Sequence, residues 1–319
     1  MTQKKPRVSI GLPVFNGERF LEETLDSILA QTFSDFELVI SDNASTDKTR
    51  EICERYAAQD ERVKYFRSAH NLGVAPNYNR AFTLSSGEYF KWADYDDPLA
   101  PDFILRCVEV LDNHPEVAVC FPKAKFIDEN GTFLNDYDPL PDTTSPEPHV
   151  RFGKLLLEHD HRLAQASGMM RSDLVRKTIL HGSYPCSDEV LMAHMSLLGS
   201  CYEIPERLFY LRYHPYMSSK GVLASERSRV LFFDSSLKDQ AVLIKWLYFK
   251  DCFRAIHSAP ISMYQRIRCY PHVIRWAFKP QNFKSLMKDI LLGIHKRIPL
   301  FPRLYQETID AANKPHHYS

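Results

Sequence analysis

The chain has 319 residues and a mass of 37.0 kDa, with 44% hydrophobic and 25% charged residues, enough apolar side chain for a large buried core and too much for global disorder. Forty Lys and Arg balance forty Asp and Glu, so bulk electrostatics give no case for nucleic acid as a partner. Seven cysteines occur without a C-x-x-C pair, which argues against a disulfide framework or zinc knuckle and for a reducing compartment.

Residues 1–6 run into a strand without the apolar stretch of a secretory signal, and residues 7–15 (RVSIGLPVF) form that strand. Asn16-Gly17 turns the chain into a helix over 18–30, with Leu21, Leu25, Ile28 and Leu29 on one face. Residues 36–41 (FELVIS) read as a buried strand, followed by a helix over 48–58 with Asp47 as N-cap. A short strand at 63–66 and the polar link 70–73 lead to a helix marked by Val74, Tyr78, Ala81 and Phe82, with Pro76 in its first turn. Residues 88–93 (EYFKWA) give a fourth strand.

This alternation predicts an α/β fold whose mostly parallel central sheet is covered on both faces, with ligand-binding loops at the carboxyl ends of the strands. The polar clusters 42–47 and 94–97 follow the second and fourth strands and should open onto one crevice. Further along, 101–111 reads as a helix, 117–121 as a strand and 136–148 as a proline-rich loop. A helix over 187–199 takes Ser187 as N-cap, sets Val190, His194, Leu197 and Leu198 on one face, and stops at Gly199. The predicted organisation is one domain over 1–225 in two halves, 1–97 and 98–225, then a basic helical extension over 226–319 that Pro260, Pro271, Pro280, Pro299 and Pro302 cut into short pieces.

Asp94, Asp96 and Asp97 stand within four residues at a strand end. Carboxylates this close repel unless a cation sits among them, and Mg²⁺ or Mn²⁺ needs only one or two carboxylates when phosphate and water fill its other positions. The bland reading is a solvated acidic turn; the place after a central strand favours the metal. The first strand ends in Gly11-Leu-Pro-Val-Phe-Asn-Gly17, neither a dinucleotide fingerprint nor a phosphate-binding P-loop.

Four segments, SIGLPVFNGERFLEETLDSILAQTF, ELVISDNASTDKT, NLGVAPNYNRAF and GEYFKWADYDDPLAPDFI, resemble the family 2 glycosyltransferases in order and spacing, over roughly the first third of the chain, with weaker similarity to about residue 220. The resemblance implies a GT-A fold that uses a nucleotide-diphosphate sugar, with a uridine diphosphate donor favoured by family habit, and implies that 1–97 is the nucleotide-binding half and 98–225 the acceptor half. It sets Pro13 and Phe15 near the base, Asp42 at the base or ribose and Asn71 in the same nucleotide site. Asp94 and Asp96 match the family's DXD pair, Asp94 toward ribose or sugar and Asp96 as direct metal ligand, with Asp97 sharing the claim to the metal. Tyr95 between them is bulkier than the small residue often found there.

Ser187-Asp-Glu resembles the Glu-Asp motif before a helix in this family and implies Asp188 as the base that activates the acceptor; Ser187 in place of the usual Glu leaves Glu189 as the alternative. Leu211-Arg-Tyr-His214 with Ser218-Ser219 resembles the Tyr-Arg-x-His segment, which implies Arg212 facing the diphosphate and His214 completing the metal shell. Gly168 resembles the loop beside sugar and acceptor. In chemical terms, expelling a nucleotide diphosphate builds charge on the leaving oxygens, which a cation stabilises, while an inverting reaction needs its base on the opposite ring face. The implied partners are a sugar nucleotide and a glycan or lipid-linked acceptor in surface polysaccharide synthesis.

His159-Asp-His161 reads as a polar loop rather than a metal pair. Between residues 241 and 305 stand twelve Lys or Arg against Asp251 and Asp289 alone, an excess of ten that leaves the rest of the chain ten negative. Trp246, Tyr248, Phe249, Trp276 and Phe278 lie among these cations, and Phe283, Leu286, Ile290, Leu291 and Ile294 form an apolar stripe. Packing on the domain is the first reading of this end and contact with an anionic membrane surface the second. No window reaches the roughly 18 apolar residues of a spanning helix, so the expected location is cytoplasmic, peripheral to the inner membrane face under the second reading. Two other functions fit the outline less well: a nucleotidyltransferase, which would want a Gly-rich basic loop after the first strand, and a binding or assembly subunit that keeps a degenerate nucleotide pocket.

Overall fold

The computed structural model describes residues 5–137, 143–158, 163–215, 231–237 and 242–297. The centre of the proline-rich loop, His159-Asp-His161, Ser218-Ser219, the expected domain boundary near 225, Pro299 and Pro302 lie outside the described residues.

Strands β1 (Val8–Val14), β2 (Phe36–Asp42), β3 (Val63–Arg67) and β4 (Tyr89–Trp92) alternate with helices α1 (Leu21–Leu29), α2 (Thr49–Gln59) and α3 (Val74–Thr83). They form a parallel sheet in the order β3-β2-β1-β4. Every residue of β1 and β2 is buried, Ser9, Glu37, Ser41 and Asp42 included, because a central parallel strand has no wet face. Helix α1 buries Leu21, Thr24, Leu25 and Ile28 and carries Glu22 and Glu23 in its first turn, where the backbone dipole favours acids.

After α4 (Phe103–Asn113) the sheet turns mixed. Strand β5 (Val117–Ile127) runs on six residues beyond the predicted strand, and β6 (Phe133–Tyr137) pairs with its second half. Helices α5 (Pro148–Leu157) and α6 (Leu163–Ala166) precede β7 (Met169–Arg171), a three-residue strand wedged antiparallel between β4 and β5. Helices α7 (Ser172–Val175) and α8 (Ser187–Leu198) lead to β8 (Ser200–Arg212), which lies parallel to β5 on its other edge. The architecture is the α/β fold with a mostly parallel central sheet that the sequence predicts.

The extension forms α9 (Ile244–Ser258), α10 (Met263–Ala277) and α11 (Pro280–Arg297). Pro260 and Pro280 mark ends as expected, but Pro271 sits inside α10. Its ring is exposed, and the carbonyl that loses a donor there can turn to water. Two cores flank the sheet. One joins β1 and β2 to α1, α2 and α4; the other gathers Phe90 and Trp92 of β4 with α5, α8 and the extension's Tyr248, Cys252, Val273 and Trp276. The inner face of the extension therefore completes the second core.

The two expected caps shift. Helix α2 begins at Thr49, whose N–H donates to Asp47 Oδ1 at 3.0 Å, so Asp47 still closes the first turn from one position further out. Ser187 is the first residue of α8, and the preceding Cys186 takes a left-handed φ of 63°, a conformation that costs a non-glycine residue on the order of 1–3 kcal/mol.

Candidate functional site

The carboxyl ends of β1 and β2 lie side by side, with Pro13 opposite Ser41 and Val14 opposite Asp42. Phe15 then emerges at the rim, 40% exposed, while Pro13 is buried. Asp42 is fully buried and held on both oxygens: Oδ1 accepts from the Ser45 N–H at 2.8 Å, and Oδ2 accepts from the Tyr65 hydroxyl at 2.7 Å and pairs with Arg67 Nε at 3.3 Å. Tyr65 is pushed well above its ordinary pKa by burial and by this carboxylate. Asn71 Oδ1 accepts from Asn43 Nδ2 at 2.9 Å and from the Gly73 N–H at 2.8 Å, fastening the loop after β3 to the one after β2. Asn16 and Ala44, either side of this rim, both have left-handed φ.

One strand over, the acidic turn follows β4. Asp94 accepts from the Tyr78 hydroxyl of α3. Asp96 Oδ2 lies 2.9 Å from His214 Nε2, whose ring packs 4.6 Å from that of Phe20. Asp97 Oδ1 accepts from the Arg212 N–H at 2.8 Å. Burial first, then repulsion from Asp96, raises the pKa of Asp94; for Asp97 burial, Asp96 and Asp94 raise it further.

Arg212 is buried within its own protein. Nε donates to the Asp96 carbonyl at 2.9 Å, Nη1 to the Asp128 and Glu129 carbonyls at 3.2 Å each, and Nη2 pairs with Glu23 at 2.6 Å. The sequence resemblance implies this guanidinium facing a diphosphate; the bonds it makes run from the end of β8 to the backbone of the acidic turn, to the 128–129 turn and to Glu23. Asp97, expected at the metal, likewise has one oxygen engaged by the Arg212 N–H.

Among the described residues no group of three or more His, Cys, Asp or Glu side chains converges as a metal cage. Asp96 with His214 is the pair that the fold brings together, and one carboxylate with phosphate and water suffices for Mg²⁺ or Mn²⁺. Burial, then repulsion from neighbouring carboxylates, is what raises the pKa of Asp94 and Asp97, and a cation beside them would offset both.

Lys91 is the residue that sequence reasoning passed over. It is fully buried on β4; Nζ donates to the carbonyls of Ser167 at 2.5 Å and Trp92 at 3.0 Å and lies 4.7 Å and 5.0 Å from the ring centroids of Phe103 and Phe209. Burial lowers its pKa to about 8 against the pull of Asp94 and Asp97. A lysine inside the apolar run EYFKWA was the available signal, since central strands tolerate a charge only when the fold supplies partners. The adjoining Gly168 has its backbone so close to β5 that a Cβ there would meet the Cys120 carbonyl at 2.6 Å.

On the acceptor side, Asp188 and Glu189 occupy the first turn of α8, both half-buried. Glu189 Oε2 accepts from the Tyr248 hydroxyl of α9 at 2.9 Å. The segment leading to this turn is tied to α3, since Asn79 accepts from the His181 N–H at 3.0 Å and donates to its carbonyl at 2.9 Å. The His181 ring packs edge-on to Trp92 and Tyr78, and burial lowers its pKa to about 4, keeping it neutral beside the Tyr78–Asp94 pair.

In sequence, residues 9–178 match the family described as glycosyl transferase family 2. An uncharacterised glycosyltransferase of Methanocaldococcus jannaschii is 31% identical over 137 residues, covering 42% of this chain and 47% of that protein, so the chain spans about half the length of this curated relative. In structure, S. aureus TarS residues 1–349 in complex with UDP-GlcNAc superposes with a TM-score of 0.64 at 18% identity, covering 96% of this chain and 89% of the other. A mannosyltransferase from Pyrobaculum calidifontis in complex with GDP-Man and Mn²⁺ gives a TM-score of 0.51 at 15% identity, covering 97% and 81%. At these identities the two structural likenesses speak to the fold alone.

Proposed function

The chain belongs to glycosyl transferase family 2, and from that premise we propose that it is a metal-dependent, inverting transferase that moves a sugar from a nucleotide-diphosphate donor to a hydroxyl of a glycan or lipid-linked glycan in surface polysaccharide synthesis. The observation that carries this reading is one rim of the sheet that presents Phe15 and the braced carboxylate of Asp42 beside the Asp94–Asp97 turn and His214. A nucleoside fits the first group: an exposed aromatic ring for the base, and below it the buried Asp42, which reaches ribose hydroxyls or base N–H groups once its Tyr65 or Arg67 contact gives way. Asn71, whose oxygen is engaged within the protein, shapes the loop beside them.

A divalent cation, Mn²⁺ or Mg²⁺, held by Asp96 and His214 would neutralise the charge that grows on the departing diphosphate. Asp94, aimed by the Tyr78 hydroxyl, is placed for ribose or sugar hydroxyls. Arg212 keeps the turn in register and Asp97 locks it to β8. Asp188 takes the proton of the acceptor hydroxyl as that oxygen attacks the anomeric carbon and the diphosphate leaves from the opposite ring face. The match of Ser187-Asp-Glu to the family's Glu-Asp motif supports the choice of Asp188, and Glu189 accepts from the Tyr248 hydroxyl of α9. The neighbours' titles support the donor class: TarS was solved with UDP-GlcNAc and the Pyrobaculum enzyme with GDP-Man and Mn²⁺. We favour a uridine diphosphate sugar and a site of action in the cytoplasm at the inner membrane face.

Thermal unfolding with UDP and GDP, each with and without Mn²⁺, tests the reading, followed by nucleotide release from the matching sugar donors. Stabilisation by one nucleotide only with the metal present, abolished in Asp96→Ala together with release, is the expected result. Melting that ignores every nucleotide and metal, or full release by Asp96→Ala, would overturn it; metal-dependent binding without any turnover would make the protein a nucleotide-binding subunit.

A further inference from the structure

The inner faces of α9, α10 and α11 complete a core, yet the outer faces of α10 and α11 are not polar. On α10, Met263, Ile267, Ile274 and the following Phe278 are 50–68% exposed. At 3.6 residues per turn these four positions fall within an arc of about 60°, so they form one apolar ridge along the solvent side. Cys269, Val273 and Trp276 lie buried on the other side of the same helix. On α11, Phe283, Met287 and Leu291 repeat every four residues and are 38–65% exposed. The rings of Phe278 and Phe283 stack at 5.7 Å with an interplanar angle of 13°, which joins the two ridges around the corner between the helices.

The charges beside this band have one sign. Arg268, Arg275 and Lys284 are exposed next to it. The two carboxylates of the stretch are both buried: Asp251 accepts from the Tyr184 hydroxyl and pairs with Arg254, and Asp289 accepts from the N–H groups of Lys245 and Trp246. Glu147, from the loop before α5, bonds Gln265 on the far flank of α10. Among the described residues of these helices, the exposed charges are thus all cationic, and no carboxylate is exposed.

We propose that this band is a peripheral docking face for an anionic lipid bilayer, with α10 and α11 lying in the plane of the interface, their apolar ridge among the acyl chains and Arg268, Arg275 and Lys284 at the headgroups. A second copy of the chain is a poorer occupant, because a two-fold pairing through this band would set each cation against like charges and offers no acid to meet them. No helix among the described residues is long and apolar enough to cross a membrane, so the contact is to a surface. The assignment stands independently of sugar transfer and specifies how a lipid-linked acceptor would be met.

Sedimentation of the full chain with vesicles of phosphatidylcholine alone and of equal parts phosphatidylcholine and phosphatidylglycerol tests it at low and high salt. The chain should partition onto the anionic vesicles and be released by salt. Ile267→Ser/Ile274→Ser/Phe278→Ser and Arg268→Gln/Arg275→Gln/Lys284→Gln should each weaken partition by about tenfold or more. All six side chains are exposed, so both variants should unfold at the wild-type temperature and bind donor nucleotide as the wild type does; loss of nucleotide binding everywhere would sink the transfer reading and leave this one standing. Failure to bind anionic vesicles, equal binding to neutral ones, or variants that bind like wild type would overturn the proposal. So would a dimer in sedimentation velocity that the serine variant dissociates.

Discussion

Replacing Lys91 with methionine isolates the cost of a buried charge behind the acidic turn. Its pKa of about 8 against 10.5 for a free lysine makes the native charge worse off by about 3 kcal/mol at neutral pH. Because the native pKa is the lower one, the unfolded chain binds more protons between the two values. The penalty is therefore complete below pH 8 and fades as pH rises toward 10.5. Relative to Lys91→Met, the wild type should gain about 2 kcal/mol between pH 7 and pH 9.5. Against this, the variant leaves the Ser167 and Trp92 carbonyls without their donor, at about 1 kcal/mol each, so at pH 7 it should be no less stable than wild type. Urea unfolding of both proteins across that pH range measures the difference directly, and taking the difference cancels the tyrosines that titrate higher. A wild-type advantage that stays flat with pH would mean that Lys91 is solvated or neutral in the native state, and the argument would fail. If it rises as stated while nucleotide release by the variant falls, the lysine is retained for the site rather than for stability.

Asp188→Asn should lower kcat by about 10²- to 10⁴-fold, the usual reach of general-base catalysis, whereas Glu189→Gln should keep activity within a few fold and lose about 1 kcal/mol of stability with its Tyr248 bond; reversed results would move the base to Glu189. Gly73→Ala should cost about 1–3 kcal/mol, since Gly73 sits at φ 91° and a Cβ would meet Asp234 Cα at 2.6 Å. The same change should weaken nucleotide binding through the Asn71 loop, and calorimetry showing unchanged affinity would detach that loop from the site.

The parallel half of the fold was legible because its strands are apolar runs separated by helices of clear periodicity, and the polar clusters fall where strands end. Strands β6, β7 and β8 were not. Met169–Arg171 is too short to show a period, and β8 alternates buried with half-exposed residues around Pro205, so only the pairing with β5 makes it a strand. In the site, Asp42 and the acidic turn announced themselves by position. Their supports did not: Tyr65, Arg67 and Tyr78 are ordinary residues until the fold brings each to a carboxylate 16 to 25 residues away in sequence. Arg212 gave no sign in sequence of its bonds to the Asp96, Asp128 and Glu129 carbonyls, which depend on the pairing of β8 with β5. The apolar stripe read on the extension is divided, with Leu286 buried, Ile290 half-buried and Phe283 and Leu291 exposed, and Pro271 lies within α10 on its exposed side rather than cutting it.

The hydroxyl of Tyr248, reaching from α9 to the first turn of α8, has a consequence for how this protein can be taken apart. Trimming the chain at the end of β8 would strip a wall from one of its two cores and let the neighbour of the proposed base swing loose. The tail is accordingly no interchangeable cargo adaptor: a chimera that borrows one from a relative must carry the tyrosine and its stacking partner Trp276 with it, or refit the turn it leans on.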